Sequence, residues 1–201
     1  MTPQNPMTFG DLTALLRLTL ADPSAGARAV LGMGVPREHH WTLFLLAIVL
    51  SGAIYQATAL VLPPPAASEG EAVAMPSGFT AVAVVGGSIL LLAAAINWIG
   101  RLAGGTGTLE DVLLLVIWFQ FVQISFALVE MLVLFVAPFL SSVVLLAFAA
   151  YAIWVLTNFI AVVHGFQSLG RVFLGMALAL FALSFLVSLL LAPFLGAATG
   201  A

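Results

Sequence analysis

Apolar and polar positions alternate along this chain over tens of residues. Five apolar stretches stand out, from Trp41 to Leu62, Phe79 to Ile99, Val112 to Val136, Phe139 to Val163 and Val172 to Leu195. Each meets the ~20 residues that a helix needs to cross a hydrocarbon core ~30 Å thick. Pro63-Pro64-Pro65 closes the first, and Ala137-Pro138 separates the third from the fourth. The pattern predicts an all-α membrane protein, a bundle of five transmembrane helices over residues 41–195 followed by a small-residue tail at 196–201.

Residues 1–40 behave differently. Phe9, Leu12, Leu15, Leu16 and Leu20 share one arc of a helical wheel, with Asp11, Arg17 and Leu18 outside it. That spacing predicts a short amphipathic helix in a cytoplasmic N-terminal segment. Asp22-Pro23 then supplies a cap and a first-turn proline for a second short helix ending near Gly32 or Gly34. Two placements are open for both helices: contact with lipid, or packing on the protein's own cytoplasmic face. No basic segment leads into a small-residue cleavage site, so a cleaved signal peptide is not expected.

Composition agrees with the pattern. The chain is 63% hydrophobic and 6% charged, with a mean hydropathy of +1.23, far from the quarter of charged residues usual in soluble domains. A second folded domain has no room. Without a basic patch, nucleic-acid binding is excluded. Zero cysteines exclude disulfides and thiolate chemistry.

The connectors carry little chemistry. Residues 66–78 form an acidic loop with Glu69 and Glu71, and Ala83 with Gly87 gives a small-xxx-small pair for close helix packing. Residues 100–111, GRLAGGTGTLED, are Gly-rich, with Thr108 or Gly107 as cap and Glu110-Asp111 opening the next helix. They lack the Lys-Ser/Thr of a phosphate loop. His164 and the pair His39-His40 have no metal-binding spacing; His164 reads as an interfacial residue closing a helix. The repeated APFL at 137–140 and 192–195 is treated as coincidence.

Polar residues within the spans are few. Glu130 is the one carboxylate inside an apolar stretch, and counting from Val112 puts it roughly 27 Å along its helix, near the far edge of the core. Gln120 and Gln123 lie deeper, at roughly 12 and 16 Å, on the same arc of about 80°. Asn97 and Asn158 sit near the same end of their spans as Gln120, so these three are expected to meet as an interhelical amide cluster.

Orientation follows from the basic residues. Arg17, Arg28, Arg37, Arg101 and Arg171 are all of them, Lys is absent, and in a five-span topology every one falls on one side. The positive-inside rule makes that side cytoplasmic, with the N-terminus inside and the C-terminus outside.

Short motifs also resemble the Yip1 domain in its bacterial form. Pro23 with Ala27 and Arg28 resembles the family's pre-membrane helix. Gly104-Gly105-Thr106-Gly107-Thr108-Leu109 resembles its Gly-rich connector, and Trp154…Phe159…His164-Gly165…Ser168…Val172 its fourth-helix end and following loop. The resemblance implies a multi-pass bacterial inner-membrane protein with no catalytic residue to carry over. Eukaryotic relatives associate with Rab GTPases through a longer acidic N-terminal region; only 40 residues precede Trp41 here, so Rab binding is not carried over.

The expected function is therefore a membrane-embedded scaffold or interaction module, not an enzyme, with no cofactor. Its partners are the lipid bilayer and other copies or other membrane proteins. Phe9, Leu12, Leu16, Arg101, His164 and Arg171 are the expected cytoplasmic interaction surface. The alternative is a small transporter or channel with a polar path along Gln120, Gln123 and Glu130. The surroundings of Glu130 separate the two readings: a hydrated cavity continuous with Gln123 favours transport, whereas a dry, bonded carboxylate or one that simply faces the outer interface favours the scaffold.

Overall fold

We describe residues 8–61 and 78–182 of a computed structural model of the chain. Its elements in order are α1 (Phe9–Ala21), α2 (Pro23–Gly32), α3 (Arg37–Val61), α4 (Gly78–Leu102) and α5 (Leu109–Val136). A 3₁₀ turn (Pro138–Leu140) leads into α6 (Ser141–His164), and α7 (Leu169–Ala182) follows. No strand occurs among the described residues. Four of these helices, α3 to α6, are long and apolar enough to cross a membrane. The fifth expected span begins in α7, and its remainder, with the acidic loop and the tail, lies outside the described residues.

Helix α5 is the axis of the bundle, touching α2, α3, α4 and α6. Six consecutive residues, Leu114 to Phe119, are buried. A run longer than one turn leaves no exposed face, so at this level the helix is enclosed on all sides. Further along, Leu128, Val129, Leu132, Phe135 and Val136 are exposed, as suits a helix facing lipid. Where α3 meets α4 the close approach is at Gly86, where a Cβ would stand 2.9 Å from Ile48 Cδ1. The expected pair is not used there: Ala83 is exposed and nothing lies within 4 Å of a Cβ on Gly87.

The two N-terminal helices form a packed hairpin. A capping box starts α1: the Thr8 backbone N–H donates to Asp11 Oδ2 at 2.8 Å, and Asp11 N–H donates to Thr8 Oγ1 at 3.2 Å. Asp22 accepts from Ala25 N–H at 2.9 Å, with Pro23 in the first turn of α2. The helices touch where a Cβ on Gly26 would lie 2.5 Å from Thr19 Oγ1, which only glycine permits. Pro23, Gly26, Ala27 and Val30 are buried, and α2 packs against both α5 and α6.

Polar bonds set how far the hairpin reaches. Trp118 Nε1–H donates to the buried Thr19 Oγ1 at 3.0 Å, and Ser24 donates to Asn158 Oδ1 at 2.7 Å. Tyr151 donates to the Leu20 carbonyl. Trp118 is ~14 Å from the start of α5, whereas Asn158 and Tyr151 are ~9 and ~20 Å from the end of α6. At the foot of the bundle, Arg37 pairs with Glu110 at 2.5 Å. The hairpin thus climbs along the bundle from the end that carries the α4–α5 and α6–α7 connectors. Of the apolar arc foreseen for α1, Leu15 and Leu16 are partly buried while Phe9, Leu12 and Leu20 remain exposed.

Candidate functional site

The connector end is built around His164. Helix α6 stops there because Gly165 takes a left-handed φ of 73°, and two bonds close the turn: Phe166 N–H to the Ala161 carbonyl at 2.9 Å, Gly165 N–H to that of Val162 at 3.3 Å. Helix α4 ends the same way. Gly104 has φ 87°, Gly105 N–H donates to the Gly100 carbonyl at 2.9 Å and Gly104 N–H to that of Arg101 at 3.0 Å. Thr106 N–H then donates to the His164 carbonyl at 3.3 Å, tying one helix end to the other. Thr108, rather than Gly107, caps α5, accepting from Asp111 N–H at 3.2 Å.

Three glycines make the recess that the imidazole fills. A Cβ on Gly100 would stand 2.1 Å from His164 Nε2, one on Gly105 2.6 Å from His164 Cβ, and one on Gly107 2.7 Å from the Val163 carbonyl oxygen. His164 is 2% exposed, and its Nε2 donates to the Ile96 carbonyl at 3.2 Å. A carbonyl can only accept, so Nε2 carries the proton. Nδ1 is buried with no partner among the described residues, as is Asn97 Oδ1. The expectation of His164 in the exposed interaction surface is therefore corrected: the glycines admit the ring so closely that solvent is excluded. Arg101, Arg171, Phe9 and Leu12 are exposed, and Leu16 is partly buried.

Among the described residues no nucleophile, acid or base is hydrogen-bonded to this imidazole. Ser168 caps α7, accepting from Arg171 N–H at 3.4 Å. His40 is held separately, its Nε2 donating to the Val35 carbonyl at 3.2 Å. Among the described residues no group of His, Asp and Glu is arranged to hold a metal ion.

The polar residues of the spans go to three different places. Asn158 accepts from Ser24 and donates to the Trp154 carbonyl at 2.8 Å, so it secures the hairpin. Gln120 donates to Ser51 Oγ at 2.9 Å, and Ser51 donates to the Ala47 carbonyl at 2.7 Å. The amide cluster foreseen for Asn97, Gln120 and Asn158 does not form: Asn158 turns to Ser24 and Trp154, Gln120 turns to Ser51, and Asn97 Oδ1 has no partner among the described residues. Gln120, Gln123 and Glu130 instead share one cavity of about 410 Å³ between α3, α5 and α6. From Gln120 to Glu130 it follows α5 for ~15 Å. Phe126 and Phe148, stacked at 4.6 Å and 11°, form part of its wall.

Sequence reasoning missed Thr19, Ser24 and Ser51, the partners of Trp118, Asn158 and Gln120. Short hydroxyls in helices normally bond their own backbone, so nothing local marks them. The glycine recess did leave a signal: Gly105, Gly107 and His164 fall within the two motifs, residues 104–109 and 164–165, that carry the family resemblance, whereas Gly100 lies outside them.

No curated protein and no solved structure matches this chain. The family model of the Yip1 domain matches residues 17–191, which takes in the hairpin from Arg17 on, both connectors and all four described spans. The chain belongs to the Yip1 domain family.

Proposed function

We propose that this protein is a five-span scaffold or interaction module of the bacterial inner membrane, without catalysis, with its N-terminus in the cytoplasm and its C-terminus in the periplasm. The observation that carries the reading is the enclosure of α5. From Leu114 to Phe119 it is packed on every side, and the polar groups around that level bond to one another: Thr19 with Trp118, Ser24 with Asn158, Gln120 with Ser51. These bonded polar groups support a packed rather than an open interior at this level. What remains for partners is the lipid-facing helix surface and a connector end carrying exposed Arg17, Arg28, Arg37, Arg101 and Arg171. Their placement supports a cytoplasmic connector end. The partners are other copies of the chain or other membrane proteins.

The transporter reading keeps one observation in its favour, the shared cavity of Gln120, Gln123 and Glu130. Purified protein in liposomes separates the two. The scaffold predicts energy transfer between differently labelled copies that persists on dilution with lipid, and no ion flux. Proton-dependent flux abolished by Glu130→Gln would replace it with a transporter.

A further inference from the structure

The cavity has a chemical character of its own. Glu130 and Gln123 face it without a hydrogen-bond or ion-pair partner among the described residues, whereas Gln120 at its base is bonded. No Lys, Arg or His is among its described lining residues. When Glu130 is ionised, a counter-charge has to come from outside the described walls. The rest of the lining is mostly apolar, with Ile54, Ile124 and Leu145 beside the rings of Tyr55, Phe126 and Phe148, and the hydroxyls of Ser51 and Thr58 donate to the Ala47 and Ile54 carbonyls of their own helix.

Each feature narrows the occupant. An anion is repelled by Glu130, and a neutral apolar molecule would leave the carboxylate desolvated and uncompensated. A metal cation is poorly matched, because Glu130 is the single carboxylate of the described lining and no cluster of His, Asp and Glu among the described residues completes a ligand set. An organic ammonium group satisfies the site: its charge meets the carboxylate, its alkyl groups meet the aromatic faces, and its apolar remainder fills the volume. The position fits as well, because Glu130 is ~9 Å from the end of α5 opposite the connectors, near the bilayer's polar boundary, and the cavity deepens from there towards its middle.

We propose that the α3–α5–α6 cavity binds an alkylammonium group, with Glu130 as its counter-ion and Phe126, Phe148 and Tyr55 as its aromatic wall. The ligand is either the headgroup of a zwitterionic lipid or a free organic cation. The site neither requires the scaffold reading nor excludes it.

The test uses the full chain in a non-ionic detergent, with hexyltrimethylammonium as probe, 1-octanol as neutral control and hexyl sulfate as anionic control. The ammonium probe raises the thermal unfolding temperature in a saturable way and the controls do not. Glu130→Gln, which keeps the shape, weakens the probe's affinity by about tenfold or more, as loss of a charge partner in a low-dielectric site requires. Ile124→Trp fills the cavity and abolishes binding while keeping the carboxylate, so the test survives if either variant fails to fold. Equal effects of probe and octanol, or unchanged affinity in Glu130→Gln, overturn the proposal. Native mass spectrometry then assigns the source: co-purified phosphatidylethanolamine lost in Glu130→Gln identifies a lipid headgroup, and probe binding without retained lipid identifies a free cation.

Discussion

His164 Nε2 donates to the carbonyl of Ile96, and four residues on, Gly100 faces the same ring with room for a hydrogen and nothing larger. One imidazole therefore fixes both the bond and the spacing between α4 and α6.

Gly100→Ala places a methyl 2.1 Å from Nε2, so the ring has to leave its site. We expect a loss of about 1 to 3 kcal/mol, the usual cost of overfilling a packed site. His164→Ala destabilises as well, by removing the ring from its recess. The double variant should lose clearly less than the sum, because the ring that meets the new methyl is gone. Reversible unfolding in mixed micelles measures the cycle; additive losses would mean that the two residues do not interact.

The hairpin should loosen separately from the bundle. Thr19→Val deprives Trp118 Nε1 of its acceptor and should cost about 1 kcal/mol. Gly26→Ala forces α1 away from α2 and should cost more. Hydrogen exchange followed by mass spectrometry should quicken over residues 9–32 in both variants and stay unchanged in α5. Equal acceleration in α5 would show that hairpin and bundle unfold as one.

The start of α1 should respond to pH. The Thr8 side chain first, and its backbone N–H second, hold the Asp11 carboxyl below the usual carboxylate range. A carboxyl depressed in the folded state contributes stability above its unfolded value of ~3.9, and that contribution fades as pH falls through the depressed value. Thr8→Ala should move the Asp11 titration, followed by NMR, up towards the unfolded value. An unmoved titration would exclude the capping box as its cause.

Topology is checked by single cysteines at Ser68 and Thr106. Thr106 is exposed on the α4–α5 connector, whereas Gly107 beside it is buried against His164 and would disturb the recess. An impermeant thiol reagent should reach the two from opposite sides of a sealed vesicle. Labelling of both from the same side contradicts a crossing by α4 and with it the five-span topology.

Element positions were legible where a local cause exists. The start of α2 follows from Asp22-Pro23, that of α5 from Thr108 with Asp111, and the apolar lengths mark α3 to α6. The shared arc of Gln120, Gln123 and Glu130 follows from helical repeat alone, and the structure turns all three to one cavity. What the sequence hid depends on partners far away in the chain. Asn158 finds Ser24 at a separation of 134 residues, Trp118 finds Thr19 at 99, and no pattern in either neighbourhood encodes the meeting. His164 was misread for a related reason. A histidine beside a helix-ending glycine ordinarily faces water, and only three glycines from another connector convert that place into an interior one.

The recess also orders events during synthesis. Gly100, Gly105 and Gly107 leave the ribosome two long helices before His164, so the turn between α4 and α5, closed locally by its own two bonds, lacks the ring that fills its recess and the carbonyl that accepts from Thr106 until α6 is made. Only when α6 has come back across the bilayer does its last residue fill the gap. A nascent chain cut short before residue 164 would keep that turn unlatched, which makes one side chain a report that the fourth crossing is complete.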